Sequence, residues 1–313
     1  MKLHQLRYLC EVIDSGLNVS RASARLHTSP SGISKQLRTL EDELGVELLT
    51  RRKTRITGIT PSGEAALPVI RRILNDVDQV RHIGKRGASG NSGVLRIATT
   101  HTHACYGLVG ALKLYAQRWP AVAVHLRQGT PGQIGAWVAS GTVDLGIGTA
   151  PIASNAALQQ APCYELAHSV VVPAMHPLLT EKRLTLRAIA HHPLVLNGET
   201  SRLGRLVEDT FAAQGIGCTV AIRAMDTTAM KKFVELGFGV AVLPSITVDA
   251  RREPHLKAIP VGHLFRRGKV SVITLKDQPL TEYGEAFVRL VREHGGTRGE
   301  TTRGGRVRAL TPP

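Results

Sequence analysis

The chain has 313 residues, with 40 Lys and Arg against 24 Asp and Glu, for a formal charge of +16. That length exceeds what one hydrophobic core usually supports and predicts two or more domains, while the cationic field selects for a polyanionic partner, nucleic acid ahead of an anionic membrane surface, and against an indifferent soluble enzyme. No run approaches the roughly 20 apolar residues that cross a bilayer and the opening Met1–Arg7 is too polar for a secretory signal. Cys10, Cys105, Cys163 and Cys218 are too scattered for a zinc site or a disulfide framework, so a cytoplasmic protein with reduced cysteines and no metal or other cofactor is expected.

Leu3, Leu6, Leu9, Val12 and Ile13 recur at helical spacing, and Gly16 with Asn18 ends the run, which predicts a first helix. A second, short helix is predicted over Ser20–Leu26, where Ala22 and Ala24 let another helix approach closely. Thr28, Ser29, Pro30 and Ser31 break it and open a third, with Ile33, Leu37, Leu40 and Leu44 on one face and Gly45 as its stop. The opposite face carries Ser34, Lys35 and Arg38. Hydroxyls and free backbone N–H groups in its first turn suit phosphate and base-edge contacts in a major groove, the layout of a recognition helix. Beyond Gly45, two short strands around Thr50–Arg55 predict a wing whose Arg51, Arg52, Lys53 and Arg55 neutralise phosphates. A lone charge run reads as a solvated face; three helices, a hydroxyl-rich turn and a basic hairpin in this order read as a DNA-binding head over residues 1–60.

Residues 20–45 resemble the helix-turn-helix signature of LysR-type transcriptional regulators, and Thr60-Pro61-Ser62-Gly63-Glu64 resembles the entry to that family's linker helix. The similarity extends to about residue 294. It implies an α/β protein: a winged helix-turn-helix, a linker helix, then a two-lobed α/β effector-binding domain resembling type 2 periplasmic binding proteins. It also implies double-stranded promoter DNA and RNA polymerase as partners, with self-association as a dimer or tetramer.

From the residues themselves, Thr60 and Pro61 form a good helix start, and a linker helix is predicted to about Arg86. Ala66, Ile70, Ile73, Val77 and Val80 repeat at the spacing of a coiled-coil seam, so residues 61–90 are read as a dimerisation helix with a Gly- and Ser-rich hinge at 87–93. Packing on the chain's own domains is the plainer use of such a stripe, but a narrow stripe on a long helix between two domains fits a partner helix better. From Val94 strands and helices alternate in two units, which predicts parallel α/β lobes: lobe one over about 91–164 and 267–294, lobe two over about 165–266. Ligands of such sheets sit beyond the carboxyl ends of strands. Thr99-Thr100-His101-Thr102-His103 falls at one such end directly before a helix, and Gln128-Gly129-Thr130, Gly148-Thr149 and Asn197 to Arg202, including Thr200 and Ser201, fall at others. Hydroxyls, imidazoles and unpaired helix N–H groups together favour an anion, although ordinary helix capping explains most such Ser and Thr residues.

Met1–Tyr8, Ile97–Thr102, Gln128–Pro131 and Leu236–Val240 further resemble the CysB branch of the family, the sulfur-assimilation regulators. In that branch the threonines matching Thr100, Thr102 and Thr149 line a pocket for sulfate-like oxyanions, tied to acylated serine inducers. The branch usually has Gln in place of His103 and Thr in place of Arg202, and both changes are expected to add cationic character at the rim of the site. A small anionic effector is therefore expected, sulfate-like, a sulfonate, adenylyl sulfate or an acylated serine, held by Thr100, Thr102, His103, Gln128, Thr149, Thr200, Ser201 and Arg202. A regulator of a different pathway answering to a carboxylate is the alternative. An enzyme built on His101, His103 and Cys105 is disfavoured, because no GxSxG elbow, P-loop or carboxylate partner is evident and no catalytic residue is assigned. Residues 295–313, rich in Gly, Thr and Arg, are expected to form a disordered basic tail.

Overall fold

A computed structural model describes residues 1–53, 55–84, 93–149, 155–198, 201–276 and 278–296. The predicted tail from 297 onward, most of the hinge and Thr200 lie outside the described residues.

Helices α1 (Leu3–Asp14), α2 (Val19–Arg25) and α3 (Pro30–Leu44) form the head. The starts of α2 and α3 are chemically specified: Asn18 accepts from Arg21 N at α2, and Ser29 accepts from Gly32 N ahead of Pro30 at α3, while Gly45 closes α3 at φ +68°. Leu6, Leu9 and Val12 meet Ala22, Ile33, Leu37 and Leu40 in one core. Strands β1 (Leu49–Arg52) and β2 (Arg55–Ile59) pair antiparallel with Arg52 opposite Arg55, and Lys53, directly after β1, takes φ +58°.

Thr60 caps the linker helix α4 (Pro61–Gly84) by accepting from Gly63 N at 3.0 Å. A side chain at Gly63 would run into the carbonyl of Leu48, the residue before β1, so glycine lets the linker leave flush against the wing. The expected seam along α4 is only partly available. Ile70 is buried in the core of the head, and Ala66, Ile73 and Leu74 pack against it. Burying apolar area inside the chain uses the same stripe a partner helix would need. Val69 and Val80, three turns apart on one face, are the large solvent-exposed apolar residues of α4 among those described.

The chain continues through β3 (Gly93–Thr99), α5 (Val109–Arg118), β4 (Val122–Gln128), α6 (Pro131–Ala139), β5 (Leu145–Thr149) and β6 (Leu158–Leu166). It crosses at Ala167 into β7 (His168–Pro173), α7 (Leu186–Ala190), β8 (Leu194–Asn197), α8 (Arg202–Ala212), β9 (Val220–Ala224), α9 (Thr227–Glu235), β10 (Ala241–Pro244) and β11 (Leu256–Pro260). It returns as β12 (Gly268–Leu275) and α10 (Glu282–His294). Lobe one is a five-stranded sheet in the order β4-β3-β5-β12-β6, and lobe two holds β10-β7-β11 and β8-β9, joined by a bridge between Leu194 and Val240.

The expectation of parallel lobes is corrected. β3 runs parallel to β4 and β5, but β12 is antiparallel to β5 and β6, and β7 is antiparallel to β10 and β11. A strand that crosses between lobes and comes back enters each sheet reversed, without the helical crossover a parallel neighbour requires. The helix expected directly after Thr99–His103 also differs: a π-turn over His103–Gly107 precedes α5. The lobes have separate cores, one around Tyr115, Tyr164 and Phe287, the other around Phe211 and Phe265.

One side chain ties the head and linker to lobe one. Arg71 of α4 is 11% exposed; it donates to Asp14 Oδ1 at the end of α1 at 2.5 Å and to Thr142 Oγ1 after α6.

Candidate functional site

On the head, Ser29, Pro30, Ser31, Lys35 and Arg38 lie exposed along one side of α3, with Thr28 and Ser34 half-buried beside them. The start of α3 is committed to capping, with the Ser31 hydroxyl 3.3 Å from Ser29 Oγ. Arg52, Lys53 and Arg55 project into solvent from the wing. Arg51 does not join them. Its guanidinium pairs with the buried Glu41 at 2.6 Å, and the same carboxylate accepts from the backbone N–H groups of Leu48 at 2.8 Å and Leu49 at 3.0 Å. Expected as a phosphate contact, Arg51 instead fastens the wing to the recognition helix, because a buried carboxylate with donors on one side requires a cation on the other. Glu41 belongs to the acidic end of α3, Glu41-Asp42-Glu43, away from the end that carries the hydroxyls.

Between the lobes is a cavity of about 1050 Å³. Thr100 and Thr102 at the end of β3, Gln128 at the end of β4 and Thr149 at the end of β5 all line it, as the strand-end reasoning expected. Thr99, between them in sequence, is buried and donates to Ile147 O at 2.8 Å, which fixes the strand end. Thr102 Oγ1 meets Thr227 Oγ1 of lobe two at 3.0 Å, so the lobes touch across the cleft. His101 sits 3.2 Å from Gln128 Oε1 and 3.9 Å from Asp226.

His103 lines the cavity but does not supply a charge to it. It is 2% exposed, with Nδ1 3.1 Å from the Tyr164 hydroxyl and Nε2 3.4 Å from Thr149 Oγ1. Burial without a carboxylate partner lowers its pKa to about 4, so the imidazole is neutral at pH 7 and orients Thr149. The expected cationic rim at this position is corrected accordingly. Arg202 is exposed in the first turn of α8 and lines the cavity, as does Ser201, whose side chain makes no capping bond.

Sequence reasoning missed His168, Arg205, Arg266, Arg267 and Lys269, all of which line the same cavity. Arg205 could have been found, since it lies one turn beyond Arg202. The Arg266–Lys269 segment required knowing that the return crossing passes beside Thr149, against which Val270 is paired.

Cys105 Sγ lies 3.5 Å from His101 Nε2, the same nitrogen that lies 3.9 Å from Asp226, so the three do not make a relay through the two ring nitrogens. Burial and the Asp226 charge push the thiol's pKa up, opposite to the thiolate that attack requires. Among the described residues no group of three or more His, Cys, Asp and Glu could hold a metal ion, and no helix is long and apolar enough to cross a membrane.

Residues 3–64 match the family model for the bacterial regulatory helix-turn-helix protein of the lysR family, and residues 88–296 match the LysR substrate binding domain. The chain is 36% identical over 291 residues to the HTH-type transcriptional regulator CysB of Burkholderia cenocepacia, covering 93% of each chain. It is 35% identical over 294 residues to the regulator SsuR of the same organism, covering 94% of this chain and 96% of that one. Among solved structures, the cofactor-binding domain of the Cbl transcriptional regulator superposes with a TM-score of 0.61 at 31% identity, covering 66% of this chain and 92% of that one.

Proposed function

The chain belongs to the LysR family of transcriptional regulators, a DNA-binding regulator and not an enzyme, and from that premise we propose that it controls sulfur-metabolism genes in answer to a small sulfur-related anion held between its lobes. The genes would be those of cysteine biosynthesis or of sulfate and organosulfur assimilation, as the names and identities of the relatives suggest. The observation that carries the reading is the convergence of Thr100, Thr102, Gln128 and Thr149 on one cavity. These are neutral donors, which hold a tetrahedral oxyanion without the desolvation cost of a buried counter-ion. Exposed Arg202 favours a second reading, a carboxylate effector, since a guanidinium matches a carboxylate with two parallel bonds.

The head would bind a promoter operator through α3 and the cationic wing, acting in the cytoplasm alongside RNA polymerase. Two heads would be paired by self-association as a dimer or tetramer, for which exposed Val69 and Val80 on α4 offer an apolar face. Supporting a route from effector to DNA, α6 begins at cavity-lining Thr130 and Pro131 and its far end reaches Thr142, the partner of Arg71, which in turn holds Asp14 of the head.

Calorimetry and thermal shift of the full chain with sulfate, thiosulfate, an alkyl sulfonate, adenylyl sulfate and acetylated serines test the reading. A cognate anion at about 100 times its Kd raises stability by about 2.7 kcal/mol. Thr100→Ala weakens binding by about 1.5 to 3 kcal/mol through loss of one hydrogen bond to a charged group. Binding of no sulfur anion, or equal binding by Thr100→Ala, overturns it.

A further inference from the structure

The cavity holds far more cationic side chains than a single small oxyanion uses. Arg202 and Arg205 stand in the first turn of α8, and Arg266, Arg267 and Lys269 on the return crossing and the start of β12. None of the five has a carboxylate within ion-pairing distance among the described residues, whereas Arg25, Arg51, Arg71 and Arg223 all do. The acids on the cavity wall are Asp209 and Asp226, and Asp226 is committed to capping α9 through Ala229 N at 2.8 Å.

Two further features mark this wall as a built site. His168, 4% exposed and lining the cavity, leaves its Nδ1 without a hydrogen-bond partner among the described residues. A buried polar atom in that state is costly unless something else satisfies it. Ser201, the residue before α8, leaves its side chain and the first-turn N–H groups of an eleven-residue helix uncapped by it. The crossing also runs close to the threonine end: a side chain at Gly268 would touch Thr149 Cγ2 at 3.5 Å and the His168 ring at 3.9 Å. The volume is at the upper end of the roughly 300–1,000 Å³ typical of drug-sized ligands.

We propose that this cavity takes an organic anion with an oxyanion at each end, one on the threonine cluster and the other on the wall formed by Arg202, Arg205, Arg266, Arg267 and Lys269. The inference rests on the proposed anion site and adds a second subsite to it. Guanidinium groups in excess of local carboxylates recognise carboxylate or phosphate oxygens by paired, charge-assisted hydrogen bonds. The second group therefore sets which effector is chosen, while the threonines accept the group the effectors share.

The test is calorimetric titration of the full chain with a series of α,ω-sulfocarboxylates of increasing chain length, each set against the methyl-ended sulfonate of equal length, and with inorganic sulfate. At least one sulfocarboxylate binds about tenfold or more tightly than its methyl-ended counterpart. Arg205→Ala and Arg267→Ala each reduce that advantage and leave affinity for the simple sulfonate and sulfate unchanged, with Arg118→Ala, an exposed arginine at the end of α5 outside the cavity, as a control that leaves it intact. If no chain length shows an advantage, or the advantage survives in both arginine variants, the second subsite does not exist. In that case, weakened sulfate binding by Thr100→Ala still upholds the single-anion site. If instead the arginine variants abolish the advantage while Thr100→Ala changes nothing, the threonine end has been misplaced and the cationic wall stands.

Discussion

Replacing Glu41 by Ala removes the acceptor of two backbone N–H groups and the partner of Arg51. Leu48 and Leu49 are each 1% exposed, so water reaches their amides poorly once the carboxylate is gone. Two hydrogen bonds to a charged acceptor are worth about 1.5 to 3 kcal/mol each, and breaking a buried pair at one partner costs about 3 to 5 kcal/mol. The loss expected for Glu41→Ala is therefore about 3 to 5 kcal/mol, a large part of the roughly 5 to 15 kcal/mol that holds a typical domain folded. Glu41→Gln keeps one acceptor oxygen and loses less. Urea unfolding followed by circular dichroism measures the loss, and the transition affected is that of the head, whose core Leu48 and Leu49 complete. Arg51→Ala lowers stability in the same assay and leaves the salt dependence of DNA binding nearly unchanged, because its guanidinium faces Glu41 and not the phosphates. A Glu41→Ala protein within about 1 kcal/mol of wild type, or an Arg51→Ala protein with a flattened salt slope, refutes the reasoning.

Combined Ala substitution of Arg52, Lys53 and Arg55 weakens binding evenly across sequences and reduces the salt slope, while Ser34→Ala or Lys35→Ala shifts sequence preference; competition binding on varied sites separates the two. Arg71→Met, which removes the contacts to Asp14 and Thr142, leaves anion affinity intact and shrinks the effect of the anion on DNA affinity, a coupling typically of about 1 to 3 kcal/mol; an undiminished effect dismisses the Arg71 route. His103 has its pKa lowered from 6.5 to about 4 in the folded chain. The unfolded chain then binds the proton first, so stability is full above pH 6.5 and falls as pH drops towards 4, by about 3 kcal/mol at most. His103→Gln removes that part of the slope in pH-dependent thermal unfolding, and an unchanged slope shows that His103 is not held neutral.

The head was legible because its signals are local: Ser29 and Pro30 open α3 and Gly45 closes it where spacing and capping place them. The lobes were legible as strand ends, which is why Thr100, Thr102, Gln128 and Thr149 converge as expected. β6 was not foreseen, since Gln159, Gln160 and Pro162 interrupt any alternation; Pro162 falls at a break in register against β12, where a missing N–H is tolerated. The antiparallel returns were equally hidden, because strand direction depends on where the chain goes between strands. His103 and Arg51 were misread for one reason. Both look like surface cations in one dimension, and their charge state or partner is set by residues far along the chain, Tyr164 and Thr149 for one and Glu41 for the other.

The central claim is that an anion in the interlobe cavity governs DNA binding. Its most direct test is fluorescence anisotropy on DNA that the wild-type protein selects from a random pool, titrated with and without saturating adenylyl sulfate, sulfate or acetylated serine. The wild-type curve shifts with at least one anion, and Thr100→Ala binds the same DNA with equal affinity in its absence but shifts far less in its presence. Wild-type curves that superimpose with every anion, or a Thr100→Ala shift equal to that of wild type, contradict the account.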